Sequence, residues 1–299
     1  MKRLFRFGFT VGFCLASVGN IFAVTGLAML KTELGARPAG MAAAVVSISE
    51  DPNAVFYNPA NAAGITKFTA SFGHTAYWEN IRLESGYFAA DLSPRLYLHG
   101  GIRFAAVDEL EARRYPVLQP DDLFDAHDVS FKGGLAYRLS ERIAVGLAFG
   151  WFIEKIGGWR GSAFNIDLGV QTAPKYNISF GASVTNLGSD FYLEMSGVVG
   201  SRDISLPITY RLGGSYRYES HLAALDVVIL DNKFHVHVGA ETQPHELFML
   251  RAGYMFNYDS KNFTAGASFT KRNMRIDYAF VPFSNNLGTS HMFNFTFSL

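Results

Sequence analysis

Apolar and polar residues alternate along most of this chain, and the alternation continues to its last residue. In the final segment, SHMFNFTFSL, one parity consists of Phe293, Phe295, Phe297 and Leu299. The other parity consists of Asn294, Thr296 and Ser298. Because successive side chains of a β-strand point to opposite sides, this period of two predicts a strand with one apolar and one polar face. A chain built mainly from such strands is restricted to all-β architectures.

About fourteen alternating segments follow one another after residue 67. They lie near 68–78, 84–92, 96–107, 127–138, 143–154, 163–172, 176–187, 206–218, 222–230, 233–243, 246–257, 262–271, 273–282 and 290–299. Tight turns, such as Ser93-Pro94-Arg95 and Ser140-Glu141, alternate with connections that are mostly longer. The longer connections are 108–126, 155–162, 188–205 and 283–289. If the first strand enters from below, every tight turn falls on the lower side, which predicts an up-and-down antiparallel sheet.

Two architectures accommodate many antiparallel strands. A soluble sandwich or propeller buries its apolar faces between sheets, whereas a membrane barrel turns them toward lipid. Aromatic residues at strand ends favour the barrel, because aromatic side chains gather at membrane interfaces. They are Trp78, Tyr137, Trp151, Tyr210, Tyr218, Tyr254 and Tyr278. Segments of about 9–12 residues also match a tilted membrane crossing. We therefore predict a transmembrane antiparallel up-and-down β-barrel of about 14 strands.

The terminal strand supports a closed barrel. An open sheet edge in hydrocarbon would leave unpaired N–H and C=O groups, so the last strand must pair with the first. Chains of bacterial outer membranes end in a similar alternating aromatic strand, which their barrel-assembly machinery recognises. Their usual last residue is Phe, whereas this chain has Leu299 with Phe297 two places before it.

The first residues are typical of a secretory signal peptide. The basic stretch MKRLFR precedes the apolar stretch FGFTVGFCLASVG, which is short for a transmembrane anchor. We predict a signal peptide over 1–28 with cleavage near 23 or 28. The single cysteine, Cys14, lies inside it, so the exported chain would contain neither disulfides nor a cysteine nucleophile.

Residues 29–67 do not alternate and are rich in Ala and Gly. The stretch MAAAVVSIS (41–49) could form a short helix, and Asp51-Pro52 and Asn58-Pro59 should each interrupt the chain. A fourteen-strand barrel has a lumen large enough to need filling. We therefore predict that 29–67 folds as a plug inside a barrel formed by 68–299.

The plug region resembles a known family signature. GARPAGMAAAVVSISEDPNAVFYNPANAAGI (35–65) is similar to the N-terminal signature of PorV/PorQ-type outer-membrane proteins, a branch of the FadL-like superfamily of hydrophobic-compound transporters. The matching residues include Gly35, Ala36, Arg37, Asp51, Asn58, Pro59 and Ala60. Asn61 stands where the family frequently has Gly. Similar stretches, among them IAVGLAFGWFIEKI and LPITYRLGGSY, extend the resemblance over nearly the whole exported chain.

The resemblance implies a monomeric barrel in the bacterial outer membrane with its lumen blocked by the N-terminal segment. In FadL-type members, hydrophobic ligands such as fatty acids enter from outside, bind within the barrel and leave sideways. In PorV-like members, the barrel serves type IX secretion and handles secreted proteins. The leading prediction is therefore binding or passage of small hydrophobic molecules. The alternative is a secretion component or a scaffold for envelope complexes.

Polar residues on the inward parity are candidates for lumen chemistry. They are Arg103, Lys132, Asp167, Arg211, Asp226, His235, His237, Glu241, Arg251, Arg275 and Asp277. These charges could guide an anionic head group, but a network of lumen ion pairs explains them more simply, because buried charges must be paired. His235, His237 and Glu241 could supply metal ligands, although a ladder of lumen residues explains them equally well.

Other functions find little support. Basic and acidic residues are balanced at 26 each, which indicates no general attraction to nucleic acid. The chain has no G-x-S-x-G elbow, and no cofactor motif stands out. We expect no enzymatic activity, no cofactor and no metal. The expected partners are outer-membrane lipid, a hydrophobic ligand, the barrel-assembly machinery and, under the alternative, secreted proteins.

Overall fold

A computed structural model describes residues 27–77, 81–116, 118–200 and 203–299. The predicted signal peptide, apart from its last two residues, lies outside these ranges, as do Cys14 and Trp78. Within them, no helix has the length and apolar content needed to cross a membrane.

Fourteen long strands dominate the described residues. They are β1 (Phe68–Ala76), β2 (Arg82–Ser93), β3 (Leu96–Ala112), β4 (Asp122–Arg138), β5 (Ile143–Ile156), β6 (Trp159–Thr172), β7 (Ile178–Gly188), β10 (Thr209–Tyr218), β11 (His221–Leu230), β12 (Lys233–His245), β13 (Phe248–Phe256), β14 (Phe263–Lys271), β15 (Met274–Pro282) and β16 (Thr289–Ser298). Two short strands, β8 (Glu194–Met195) and β9 (Val198–Val199), form a small hairpin in the connection after β7.

The sheet is a closed antiparallel barrel, which confirms the predicted fold class. Each long strand pairs with its neighbours in the chain, and β16 closes the ring on β1 from Thr69↔Ser298 to Ala76↔His291. The chain ends on this seam, where the Leu299 amide donates to the Phe68 carbonyl at 2.9 Å. The fourteen long strands therefore form a closed ring, as a barrel in hydrocarbon requires.

The two parities of each strand have opposite environments. In β16, Phe293 and Phe295 are 49% and 41% exposed, while Asn294 and Thr296 are 4% and 2% exposed. The apolar parity therefore forms the outer surface of the barrel, and the polar parity faces the lumen. A soluble protein of this topology would place its apolar parity inside, so the arrangement is that of a membrane barrel.

The two rims of the barrel differ in their connections. We call the rim with the turns after β2 and β4 the lower rim, and the opposite rim the upper rim. Two upper connections are shorter than predicted. The region 108–126 is mostly strand, because β3 and β4 continue past the neighbouring strands and leave only 113–121 as a loop. The region 155–162 contains a turn at Gly157-Gly158 between β5 and β6.

Residues 27–67, which we call the inner segment, lie inside the barrel. They contain the short helices α1 (Ala28–Lys31) and α2 (Ala36–Gly40) and two 3-10 helices, Pro52–Phe56 and Pro59–Gly64. The two 3-10 helices begin at the predicted breaks, and the side chains of Asp51 and Asn58 cap them. The predicted helix over 41–49 is wrong. Ala42 and Ala43 have φ values of 53° and 55°, which an α-helix excludes.

The inner segment follows the lumen wall rather than its axis. The α2 helix contacts β13 to β16, and the second 3-10 helix contacts the opposite strands β2 to β6. The residues between them pack against further strands on the way. The segment therefore fills the lower and middle lumen before the chain enters β1.

Candidate functional site: the barrel lumen

The inner segment packs directly against inward-facing glycines of the barrel wall. A Cβ atom added to Gly146 of β5 would overlap the backbone of Pro59 and Ala60. A Cβ on Gly181 of β7 would overlap the backbone at Val46, and one on Gly169 would overlap the Asn58 side chain. The absence of a side chain at these wall positions lets two backbones approach closely. The inner segment is thus fitted to the wall at several points.

The motif residue Asn58 joins the inner segment to the wall. Its Nδ2 donates to the carbonyls of Val46 and Val170, at 2.8 and 3.0 Å, and its Oδ1 accepts from the Ala60 amide at 3.0 Å. Asn58 is fully buried, so each of these bonds satisfies a group that water cannot reach. The following Pro59 occupies the first helical position, where its missing N–H costs nothing.

The other motif residues lie on the opposite side of the lumen. The Ala36 amide donates to Asn294 Oδ1 at 2.7 Å. Gly35 has a φ of 82°, and a Cβ there would overlap Asn53, so this position requires glycine. The motif residues therefore hold the segment's shape and its attachment.

Six charged side chains near the lower rim form what we call the lower ion cluster. Its members are Arg37, Asp51, Glu241, Arg251, Arg275 and Asp277. Arg37 makes two bonds of 2.8 Å to the Glu241 carboxylate, and Arg251 Nε donates to Glu241 at 2.6 Å. Arg275 pairs with Asp277 at 2.7 Å and with Asp51. Three cations thus neutralise three anions, joining the inner segment to β12, β13 and β15.

Burial makes this pairing necessary. Removal from water favours the neutral form of each group, yet the pKa of Arg37 is raised, because Glu241, Asp51 and Glu50 stabilise its positive charge. Burial likewise opposes ionisation of Asp51, but Arg275 and Arg37 outweigh it and hold the pKa of Asp51 below its ordinary value. The inner segment is therefore attached by charges as well as by close packing.

A second group of predicted lumen residues surrounds the Phe56 ring. The charged groups of Arg103 and Lys132 lie 4.8 and 4.7 Å from its centroid, within the range of cation–π contacts. Lys132 also pairs with Asp167. Arg103 is completely buried, and its Nη2 donates to Thr32 Oγ1 at 2.9 Å, while its Nε and Nη1 have no partner among the described residues.

The remaining predicted residues contact the inner segment or the upper loops. Asp226 accepts bonds of 2.9 Å from the amides of Val45 and Val46, and thus anchors backbone rather than a cation. The Arg211 guanidinium lies 5.0 Å from the centroid of the Tyr57 ring. His235 stacks on Tyr258 at 3.9 Å between centroids, and His237 Nε2 lies 3.1 Å from the Tyr258 hydroxyl.

The predicted candidates therefore do not form one site. The structure separates them into the lower ion cluster, the group around Phe56 and the contacts with Tyr258. Glu241 is occupied by two arginines and is separated from the two histidines. Among the described residues, no three His, Cys, Asp or Glu side chains are grouped as metal ligands would be.

The upper lumen has an apolar character that the sequence analysis missed. Near the inner segment's first residues, buried apolar side chains from several strands form one cluster: Leu27, Met29, Leu30, Leu83, Phe152, Ala163, Phe191 and Leu206. Phe191 and Leu206 belong to the long connection after β7, which therefore folds over the lumen. Parity places Phe152 and Ala163 inward, but nothing in the sequence indicates that they meet residues 27–30.

Beside this cluster lies a cavity of about 380 Å³, which we call the upper cavity. Its apolar lining consists of Leu27, Ala28, Ala105, Ala106, Val107, Ala126 and Ile156. Its polar lining consists of Lys31, Asp128 and Glu154. The volume lies in the range of small-molecule sites, which typically combine apolar walls with a few polar groups. Lower in the lumen, the enclosed space between Tyr57, Arg211 and Tyr258 has room for about one water molecule, at about 20 Å³.

The fold is similar to those of several solved structures, among them two toluene transporters and a FadL homologue. The toluene transporter TbuX of Ralstonia pickettii is 13% identical with a TM-score of 0.62, over 89% of this chain and 98% of that one. The toluene transporter TodX of Pseudomonas putida is 12% identical with a TM-score of 0.63, over 88% and 96%. A Pseudomonas aeruginosa FadL homologue is 10% identical with a TM-score of 0.59, over 88% and 98%. At these identities the similarity establishes a shared barrel fold.

Sequence comparisons add no further assignment. No protein-family model matches the chain, and no curated protein matches it.

Proposed function

We propose that this chain is a bacterial outer-membrane barrel that binds small hydrophobic molecules and passes them across or into the membrane. The observation that carries the proposal is the upper cavity, a mainly apolar space of about 380 Å³ at the upper rim of the lumen, above the part that the inner segment fills. Solved structures of the same fold include toluene transporters and a FadL homologue, which supports a hydrophobic cargo.

The outer surface supports the location. Apolar side chains around the whole ring are exposed, among them Phe149 at 60% and Phe164 at 70%. Such a surface is stable in lipid and would aggregate in water. With a signal peptide at the start, the chain would be exported and inserted by the barrel-assembly machinery.

The route below the cavity runs through the inner segment's first residues. The later residues of the inner segment pack against wall glycines and are held by the lower ion cluster, so displacing them would cost free energy. Residues 27–32 are held by apolar contacts, by the ion pair between Lys31 and Asp231, and by Thr32. They are the part that a passing molecule would displace. Arg103, whose Nη2 donates to Thr32 Oγ1, would then face the lumen.

A second function, in secretion or as an envelope scaffold, is favoured by one observation. The β3–β4 hairpin extends above the rim and ends in an exposed loop, where Tyr115 is 74% and Leu118 is 99% exposed. Such a projection suits contact with another protein. The resemblance to PorV/PorQ-type proteins points the same way and stays a sequence prediction.

Filling the upper cavity tests the leading proposal. Ala126→Trp should abolish saturable binding of toluene or a similar small aromatic to the purified barrel, because the indole would occupy the cavity. The binding would be measured by ligand-observed NMR on protein held in amphipol. Ala223→Trp, on the outer surface of β11, is the control and should bind normally. Equal binding by both variants and wild type, or none by wild type, would contradict the proposal.

A further inference from the structure

The two carboxylates of the upper cavity face each other across neighbouring strands. Asp128 of β4 and Glu154 of β5 are paired in register and belong to the inward parity of their strands. Side chains paired in this way have Cβ atoms about 5 Å apart. Both line the cavity. Glu154 is only 8% exposed, and neither carboxylate has a hydrogen-bond or ion-pair partner among the described residues.

The positive charges nearby leave one of these carboxylates uncompensated. Lys31 lines the cavity too, but its ammonium is bound to Asp231 at 2.6 Å. Arg103 lies below the cavity on β3. It is two residues before Ala105, the residue that pairs with Asp128. Even if Arg103 offsets the charge of Asp128, Glu154 still has no cation. A buried charge without a partner is costly, so this position is suited to a ligand that brings a positive charge.

We infer that the upper cavity selects hydrophobic molecules with a protonated amine head group. The amine would lie between Asp128 and Glu154, where its three N–H donors find carboxylate acceptors. The hydrocarbon body would contact Ala105, Val107, Ala126 and Ile156. A carboxylate head would instead meet two like charges, which ranks fatty acids last among ligands of equal size. This inference rests on the proposed function, whose cargo class it narrows.

Three probes with one carbon skeleton separate the head group from the apolar body. Phenethylamine is cationic at neutral pH, 2-phenylethanol is neutral and phenylacetate is anionic. Binding of each would be titrated calorimetrically to the mature barrel purified from outer membranes and held in amphipol. We expect phenethylamine to bind about tenfold more tightly than 2-phenylethanol, and phenylacetate more weakly than both.

Two substitutions assign the preference to the carboxylates. Asp128→Asn and Glu154→Gln should each reduce the ratio of amine to alcohol affinity, and the double variant should bring it near one. Loss of an uncompensated buried charge should not impair folding. Asp108→Asn, which removes a carboxylate from the outer side of β3, is the matched control and should keep the wild-type ratio.

The outcomes distinguish this inference from the proposed function. Equal or tighter binding of the alcohol or the carboxylate overturns the inference and leaves the proposed function standing. If none of the three probes binds but toluene does, the inference fails and the proposed function stands; if toluene does not bind either, both fail. Amino-terminal sequencing of the same sample adds one more decisive outcome. A chain that begins at Met29 and shows no amine preference would assign the two carboxylates to the chain's own amino group.

Discussion

At the scale of single residues, charges attach the inner segment more strongly than any one hydrogen bond. In the lower ion cluster each carboxylate contacts two arginines, and Asp51 connects Arg37 and Arg275 from the inner segment's side. Bonds between ionised groups are stronger than neutral ones, and removing one partner leaves the other charge buried. The neutral balance of three acids and three arginines is therefore what this part of the lumen requires.

Replacement of Asp51 tests this balance. Asp51→Asn keeps a side chain that can cap the following 3-10 helix but leaves the cluster with one excess positive charge. We expect a loss of about 3 kcal/mol in the free energy of unfolding, typical of a broken buried pair. The measurement is urea unfolding in detergent micelles followed by tryptophan fluorescence.

Exposure and pH provide the controls for this substitution. Asp259→Asn, at an exposed position in an upper loop, should change the free energy of unfolding by less than about 0.5 kcal/mol. Because the pKa of Asp51 is lower in the folded chain than in the unfolded one, its contribution is complete above the ordinary carboxyl range. The difference between wild type and Asp51→Asn should therefore shrink as the pH falls through the folded-state pKa. A difference that is independent of pH would contradict the charge argument.

At the scale of elements, the inner segment fits against the strands at wall positions where glycine leaves room for it. The 3-10 helix Pro59–Gly64 lies against β4, β5 and β6, where the wall presents Gly146 and Gly169. In an ordinary core, interdigitating side chains set the spacing between elements. Here the backbones themselves touch, so the position of the helix is fixed by the placement of glycines along the strands.

A single methyl group added at one of these wall glycines should displace the inner segment. Gly146→Ala places its Cβ onto the backbone of Pro59 and Ala60, which cannot move aside as a flexible side chain could. We expect a loss of about 1–3 kcal/mol in unfolding free energy, as for other overpacked sites. Faster proteolysis within residues 35–65 would report the displacement directly. Gly133→Ala on the outward face of β4, where a Cβ meets no atom within 4 Å, should behave as wild type.

The predictions that were wrong for two elements failed for identifiable physical reasons. Alternation marks a strand only where its two faces meet different surroundings. Above the membrane both faces of β3 and β4 meet water, so DELEARRYPVLQPDDLFDA (108–126) loses its period and resembles a loop. The stretch MAAAVVSIS has small apolar residues on all sides, which suits a helix. Three of its amides, those of Ala42, Val45 and Val46, instead bond to side chains of the wall.

At the scale of the whole molecule, the alternation was sufficient to predict the barrel. The fourteen long strands follow the same parity, and closure follows from the cost of unpaired backbone groups in hydrocarbon. The candidate site was harder to predict from the sequence, because it depends on which inward residues contact which part of the inner segment. Parity alone places Asp128 and Glu154 in the lumen, but only the register of β4 and β5 brings them together.

The same parity makes a prediction about the molecule's surroundings. Phe149 lies midway along β5 and is 60% exposed on the outer surface, whereas Leu118 lies in the loop above the rim. If the outer surface faces acyl chains, Phe149→Arg places a charge near the bilayer centre, which costs about 2–4 kcal/mol in barrels of this kind. Leu118→Arg adds the same charge in water and should cost almost nothing. Reversible unfolding in phospholipid vesicles measures both, and equal stabilities would mean that the exposed aromatic face of the barrel does not contact lipid.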